Sequence, residues 1–435
     1  MSKQTASATT LLLIVVLAAS GLLLRCGSRE SRQDTADAGD RLKALRSLPY
    51  TMLSSEVVDS TGSGVVINLP DKTWPGYNFY ATGISGEVIL MDMDGRTVHK
   101  WQNRGENPAP SLLPVMLAGG DILVIQKFSG LSRLDWNSNI VWHKRMVPHH
   151  DISFLSDSTF YVFDAEIKRY RGLMVKFPII VHMRLDGSVI DVWSAFENLD
   201  DTMANLDARS SLDTILEDAI RPEAKGLKKR SGAKGGRRLP QELQDEDGNA
   251  KGTIYDYFHA NTLTVLKENP LGDHDERFRP GNILTCFRNI NQVLILDEET
   301  KRVVWSWGEG ELEWPHHPTM IENGNILIFD NGVKRKYSRL VELNPITYAI
   351  EWEYVADPPE SFFSRTRGSC QRLPNGNTLI CESNNGRFFE ITRDGEIVWE
   401  WLNPSTTDGR RELLYRVERL SPSVIEPLLN QASAR

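Results

Sequence analysis

Cysteine is scarce in this chain. Four are present, at 26, 286, 370 and 381, and that number and spacing build neither a disulfide scaffold nor a zinc site. Surplus positive charge is missing as well. Lys and Arg total 50 against 58 Asp and Glu, a net charge of −8, so there is no basic excess to neutralise phosphates and nucleic acid is excluded as a partner. A hydrophobic run of the ~20 residues that a full membrane span needs is also lacking. The longest, Leu11 to Leu24, has fourteen apolar or small residues behind a short stretch carrying Lys3. Its length suits a signal-peptide core or a short signal anchor, and residues 1–26 are read as that element. Leu24-Arg25-Cys26-Gly27 has the outline of a lipoprotein cleavage site, with Arg25 where a small residue is expected. The expectation is an exported chain, membrane-anchored through its N-terminus, with its body on the extracytoplasmic side. Residues 27–60 then form a polar tether.

Tryptophan, by contrast, is plentiful, with 11 in 435 residues, and its placement marks a repeat. A strand ends in a turn, an apolar strand follows, then a third strand, a short turn, and a fourth strand that finishes in tryptophan. Two copies show it plainly: HHPTMIENGNILIFDNG, SRLVELNP and YAIEW between 316 and 352, and RGSCQRLPNGNTLICES, GRFFEITRDG and EIVW between 367 and 399. Asn323-Gly324 and Asn375-Gly376 predict two-residue hairpins with both turn residues at positive φ. Asp94-Gly95, Asp186-Gly187 and Asp394-Gly395 mark the outer turns. The closing tryptophans are Trp101, Trp142, Trp193, Trp305, Trp352 and Trp399, at spacings of 41, 51, 112, 47 and 47 residues. Four strands every 40 to 50 residues predict an all-β fold, a six-bladed β-propeller over 61–420, in which each blade covers its neighbour's apolar face. A β-sandwich with coincidental spacing is the competing fold.

The long third interval holds residues 196–252, which lack strand alternation and carry a basic run from Lys225 to Arg238. They are read as an insertion before blade four. Tyr415 to Leu420 is expected to close the ring by pairing into blade one, leaving 421–435 as a C-terminal tail. A two-residue turn at Asn375-Gly376 would put Cys370 opposite Cys381, where the two thiols could bond if oxidised. Cys286 reads as an ordinary buried thiol.

Inner strands line a propeller's channel, so polar residues at their starts converge. Aligning the copies on their hairpin turns puts His150 of HHDI, His259 of FHANT and His317 of HHPTM at equivalent places in blades three, four and five, with Leu113 and Ser369 at those places in blades two and six. Arg288, in CFRNINQV, ends the second strand of blade four and is aimed at the same cavity. A guanidinium is a planar, permanent cation suited to sulfate or phosphate. Its charge lowers the pKa of nearby imidazoles, which keeps one neutral and nucleophilic near pH 7. A second histidine can then serve a departing phenolate as acid. His316, His149 and Asn331 are further candidates, as groups that bind substrate. A three-histidine metal centre is the competing chemistry, and a cation beside the cluster argues against it.

Over roughly 75–403, most densely in FHANT, ILTCFRN and HHPTMIENGNILIFDNG, the sequence resembles the bacterial aryl-sulfate sulfotransferases that need no nucleotide sulfate donor. The resemblance implies a six-bladed propeller that moves a sulfuryl group from a phenolic sulfate ester to a phenol through a sulfohistidine, with no dissociable cofactor. It implies His317 as nucleophile, His259 and His150 as assistants, and Arg288 as the sulfate clamp. Departures exist: His316 stands where the family has glutamine, Pro318 and Thr319 replace the residues after the nucleophile, and His149 precedes His150 to make a second doublet. The separate N-terminal β-domain of the enterobacterial enzymes is expected to be absent. A non-catalytic propeller that binds a protein or an anionic ligand, and a metal-dependent hydrolase, are the alternatives.

Overall fold

The computed structural model describes residues 53–54, 62–83, 85–102, 111–126, 129–200 and 254–433. The expected membrane segment, most of the tether and residues 201–252 of the expected insertion lie outside the described residues. Within them, no helix is long and apolar enough to cross a membrane.

Six antiparallel sheets succeed one another around a ring, each with four strands running from the axis outward. Blade one consists of Leu414–Leu420, Tyr77–Thr82, Glu87–Met91 and Thr97–Gln102, and blade two of Ser111–Met116, Ile122–Gln126, Gly130–Leu134 and Ile140–Lys144. Blade three is Ile152–Ser156, Thr159–Tyr170, Leu173–Arg184 and Val189–Ser194, and blade four is Ala260–Val265, Ile283–Phe287, Gln292–Leu296 and Val303–Trp307. Blade five is His316–Met320, Ile326–Asp330, Arg339–Leu343 and Ile350–Tyr354, and blade six is Ser369–Arg372, Thr378–Glu382, Arg387–Ile391 and Ile397–Leu402.

The second strands are buried from end to end because a neighbouring blade covers each of their faces. Leu284 and Cys286 pack with Ile326 and Ile328 between blades four and five, while Leu327 and Phe329 pack with Cys370 and Ile380 between blades five and six. Alternate side chains of one strand thus serve two interfaces, as a period of two requires.

The ring closes where the sequence places it: Leu414–Leu420 pairs with Tyr77–Thr82 as the innermost strand of blade one. A second seam was not foreseen. Gly64–Asn68 adds to the outer edge of blade six, and Leu53, inside the expected tether, already bridges to Glu412. The expected tail 421–435 contains a helix, Pro422–Ser433, whose Ile425 is buried between blades one and two. Blade three also departs from the repeat, since its middle strands are twelve residues long and Ile254–Tyr255 runs parallel beside Met174 and Val175.

Three expectations are corrected by register. The hairpins at 323–324 and 375–376 are three-residue loops, because Ile321 pairs with Asn325 and Leu373 with Asn377. Only Gly324 (φ 86°) and Gly376 (φ 88°) adopt positive φ there, and the asparagines do not. The extra loop residue shifts the pairing by one, so Ser369, not Cys370, faces Cys381. Cys370 and Cys381 are free thiols buried in different cores, since a one-residue slip turns a side chain to the other face.

The closing position is likewise not always tryptophan. The indole N–H of Trp142, Trp305, Trp352 and Trp399 donates to a backbone carbonyl of the next blade, those of Leu185, Pro345, Arg393 and Met93, at 2.8 to 2.9 Å. Strand pairing puts His99 at that place in blade one, and its Nε2 donates to Trp136 O at 3.0 Å. In blade three the place belongs to Asp191. Trp101 and Trp193 lie two residues further on.

Candidate active site

Counting back from the inner-strand residues paired with Ile326, Ile283, Phe160, Thr378, Ile122 and Asn78 gives the levels of the channel. His317 lies three residues before Met320, level with Thr262, Asp151, Ser369, Leu113 and Arg416. His316 is one step further out, level with His150, Asn261, Gly368, Leu112 and Tyr415. His259 is two steps beyond that, level with Trp314. The three histidines expected at one position therefore occupy three levels. The cause is local: a bulge interrupts the pairing of His316–Met320 and of Ala260–Val265 just inside the channel mouth, and residues 267–281 lengthen the hairpin of blade four. What the three share is backbone conformation, with φ of 67° at His150, 48° at His259 and 49° at His317. Positive φ is uncommon in a residue with a Cβ, though histidine adopts it more readily than most.

The offset levels still bring three of the rings and the arginine together. The His150 and His259 ring centroids are 4.8 Å apart. Arg288 and His259 act electrostatically on His316, and His316 acts on His150. Arg288 is buried, with its guanidinium carbon 4.5 Å from the centre of the Trp314 ring and its Nε donating to Asn289 Oδ1 at 3.0 Å. His317 is set apart from this group. Its Nδ1 lies 2.9 Å from Cys370 O, its N–H donates to Thr262 Oγ1 at 2.9 Å, and the cation nearest to it in effect is Arg416, not Arg288. His149 touches the group only through His150, with ring centroids 5.0 Å apart. It stacks on Phe163 with centroids 5.6 Å apart, and its Nε2 donates to Asp164 O at 3.1 Å, so it supports the cluster from behind.

Each ring of the cluster is held by one nitrogen. The Nδ1–H of His316 is shared between Asn331 Oδ1 at 2.6 Å and Trp314 O at 3.0 Å. Asn331 is fully buried and orients the ring; its own amide donates to the carbonyls of Arg367, at 2.7 Å, and Ser364. The orientation of that amide leaves Oδ1 as acceptor, which puts the proton on Nδ1 and the lone pair on Nε2 of His316. His259 Nδ1–H donates to Asp256 Oδ2 at 2.7 Å, and Lys176 stands 3.4 Å from the same oxygen. His150 Nδ1 is bonded to the Tyr415 hydroxyl.

Burial, and then the Arg288 charge, lower the pKa of His316 to about 3. The same two causes outweigh the Asp256 carboxylate at His259 and bring it to about 4. His150 and His317 are lowered as well, above all by burial. Burial opposes ionisation of Asp256, yet Lys176, His259 and Arg288 hold its carboxyl well below the usual range. At neutral pH the cluster is thus neutral imidazoles around Arg288, with Lys176 balanced by Asp256. Among the described residues no group of histidine, cysteine or carboxylate side chains is arranged to hold a metal.

A cavity opens beside the cluster, walled by His316, His317, Asn261, Arg367, Tyr415 and Arg416, with Gly368 at its edge. Arg416 is fixed across the channel by a two-pronged pair with Asp151 at 2.9 and 3.0 Å. Asp256, Lys176, Arg367, Tyr415 and Arg416 had not been singled out for the site. Asp256 carried a signal, an acid three residues before a histidine in YDYFH; the others arrive from distant strands.

Among solved structures the chain is similar to a protein of unknown function from Bacteroides caccae, at 12% identity over 79% of this chain and 98% of that one, with a TM-score of 0.48. It is also similar to a streptogramin B lyase, at 12% identity over 82% and 88% with a TM-score of 0.42. A third likeness is to the catalytically inactive virginiamycin B lyase of Staphylococcus aureus, at 9% identity over 81% and 88% with a TM-score of 0.42. Likenesses this distant say nothing about chemistry. No curated protein matches the chain. The family model for arylsulfotransferases (ASST), however, matches residues 113–404, from the inner strand of blade two to the end of blade six and across every histidine of the cluster, so the chain belongs to the arylsulfotransferase family.

Proposed function

We propose that this protein transfers a sulfuryl group from an aryl sulfate to a phenol without a nucleotide donor, and that His316, not His317, is the nucleophile. The observation that supports the choice is the company each ring keeps: both hold Nδ1 on an acceptor and keep the Nε2 lone pair, but Arg288 and His259 act on His316 whereas Arg416, paired with Asp151, acts on His317. In the first half-reaction the Nε2 of His316 attacks sulfur, the bond from sulfur to the aryl oxygen breaks, and the phenolate takes a proton from His259 Nε2. Donor binding brings an anion beside Arg288, which offsets the charge that depresses His259 and lets it carry that proton. In the second, an acceptor phenol returns the proton to His259 as its oxygen attacks sulfur and the sulfur–nitrogen bond breaks. Arg288 stabilises the sulfuryl oxygens, and Asp256 holds the tautomer of His259 and stabilises its imidazolium.

Incubation with a nitrophenyl sulfate, followed by mass spectrometry, tests this. The expected label is one sulfuryl group on His316, absent in His316→Gln and retained in His317→Gln. A label on His317, or none on the folded wild-type protein, refutes it. We also propose that Leu11–Leu24 holds the propeller on the extracytoplasmic side of a membrane. Deleting it should release the protein from the membrane fraction, and unchanged membrane association counts against the anchor.

A further inference from the structure

Blade three breaks the repeat, and the break reaches the site. Its middle strands, Thr159–Tyr170 and Leu173–Arg184, pair with each other along their whole length. The inner strand covers the first of them only from Thr159 to Val162, and the outer strand covers the second only from Ile179 to Met183. The rest of the hairpin projects beyond its own sheet. Ile254–Tyr255 takes the edge this leaves, with Met174 opposite Ile254 and Val175 opposite Tyr255.

One step further in that parallel register stand Lys176 and Asp256. Val175, Phe177, Tyr255 and Tyr257 share one buried core, so alternation turns the two residues between them to the other face. There Lys176 Nζ lies 3.4 Å from Asp256 Oδ2, with both side chains buried. Asp256 passes the contact on: Oδ2 accepts from His259 Nδ1 at 2.7 Å and Oδ1 from the His259 N–H at 3.2 Å. A projection of blade three thus reaches the histidine of blade four through one carboxylate.

We propose that Lys176 is a positioning residue for the transfer, whose charge balances Asp256 and so leaves His259 neutral and ready to take the proton of the acceptor phenol. The inference deepens the sulfotransferase reading and rests on it for the reaction. In that step the phenol O–H proton passes to His259 Nε2, the oxygen bonds to sulfur, and the electron pair of the sulfur–nitrogen bond returns to His316 Nε2. A buried carboxylate demands a counter-charge. Lys176 supplies it; without Lys176, the proton closest to hand is one on His259, which is bonded to the same oxygen. Burial opposes ionisation of Asp256, and Lys176 is the strongest of the charges that favour it, ahead of His259 and Arg288. Burial and Arg288 lower His259, Lys176 adds to them, and Asp256 opposes them. His150, beside His259, feels burial first and then His259, His149, Lys176 and His316.

The test uses the full chain with nitrophenyl sulfate as donor and phenol as acceptor. In Lys176→Met the acid limb of the pH profile for transfer to phenol should move up by about one pH unit or more, a loss of about tenfold on that limb, while the nitrophenolate burst persists. Lys176→Gln, which keeps a hydrogen-bond donor for Asp256 but no charge, should behave as Lys176→Met does. Lys176→Arg should keep the wild-type limb. Lys176→Met/Asp256→Asn, which removes both charges, should bring the limb back toward wild type at a lower rate, a return that a merely structural role does not predict. Urea unfolding gives a readout that needs no turnover. Its pH slope at about pH 5 should fall by about one proton in Lys176→Met and Lys176→Gln, because His259 then holds its proton in the folded chain as well as the unfolded. A wild-type limb and slope in both variants overturn the proposal, as does an equal shift in Lys176→Arg. If the slope falls as stated and no sulfohistidine ever forms, the role of Lys176 in holding His259 neutral stands and the transferase reading fails. If His316 is labelled and limb and slope do not move, the transferase reading stands and this inference fails.

Discussion

Acid should unfold this propeller through its channel histidines. His259 is lowered from 6.5 to about 4 and His316 from 6.5 to about 3, so each binds its proton more readily in the unfolded chain. The sign follows: the contribution is full above about pH 6.5 and fades as pH falls through the folded values. Between about pH 7 and pH 5 each group should lose about 2 kcal/mol, at about 1.4 kcal/mol for each pH unit below the unfolded pKa. Together that is about 4 kcal/mol from a native stability that is typically about 5 to 15 kcal/mol. Urea unfolding across this range measures it. The His259→Gln/His316→Gln protein should show the pH slope reduced by about two protons at pH 5, even if it is less stable at every pH. A slope equal to that of wild type would mean that the two rings are already protonated or hydrated in the fold, and the neutral cluster behind the proposed chemistry would be wrong.

Other outcomes follow from the same geometry. Asp256→Asn removes the carboxylate that holds His259 and leaves Lys176 buried beside an amide; transfer to unactivated phenols should fall about 10² to 10⁴-fold, while the burst of nitrophenolate from an activated donor persists, and rapid-mix kinetics separate the two. Sulfate should bind more tightly as pH drops from about 7 to 5, because an anion favours the charged imidazole, and His259→Gln should flatten that dependence in a titration by calorimetry. Glu390 is fully buried and receives Arg419, Asn377 and the Trp74 N–H at 2.8 to 3.1 Å where blade six meets the closing strand. Glu390→Ala should therefore cost about 3 to 5 kcal/mol in chemical unfolding. The pair between Lys72 and Glu396 is about half exposed on each side, and Glu396→Ala should cost less than about 1 kcal/mol.

Much of this molecule is written in local signals. Paired turns such as Asp94-Gly95 and Asp394-Gly395, the recurring fourth-strand tryptophans and the apolar second strands specify four-stranded units that cannot bury both faces alone, and stacking them makes a propeller. The histidines of the candidate site were legible too, because histidine is rare in this chain, nine in all, and five of the nine gather at inner-strand starts. Asn331 was readable as a site residue but not as the one that turns His316. His99 was hidden because a hydrogen-bond donor other than indole fills the closing position in blade one.

What the sequence determined by itself was the architecture, the closing strand and the histidines near the channel mouth, since repeat spacing and residue type are local properties. Tertiary structure alone decided how the two histidines of each doublet are held, which cysteine faces which neighbour, and that Tyr415, Arg416 and Arg367 join the cavity. The reason is that strand side chains alternate with a period of two. A bulge or a three-residue turn adds one residue, reverses every face beyond it and leaves no mark in composition. Contacts between residues more than a hundred positions apart, such as Asp151 with Arg416, exist only once the ring has closed.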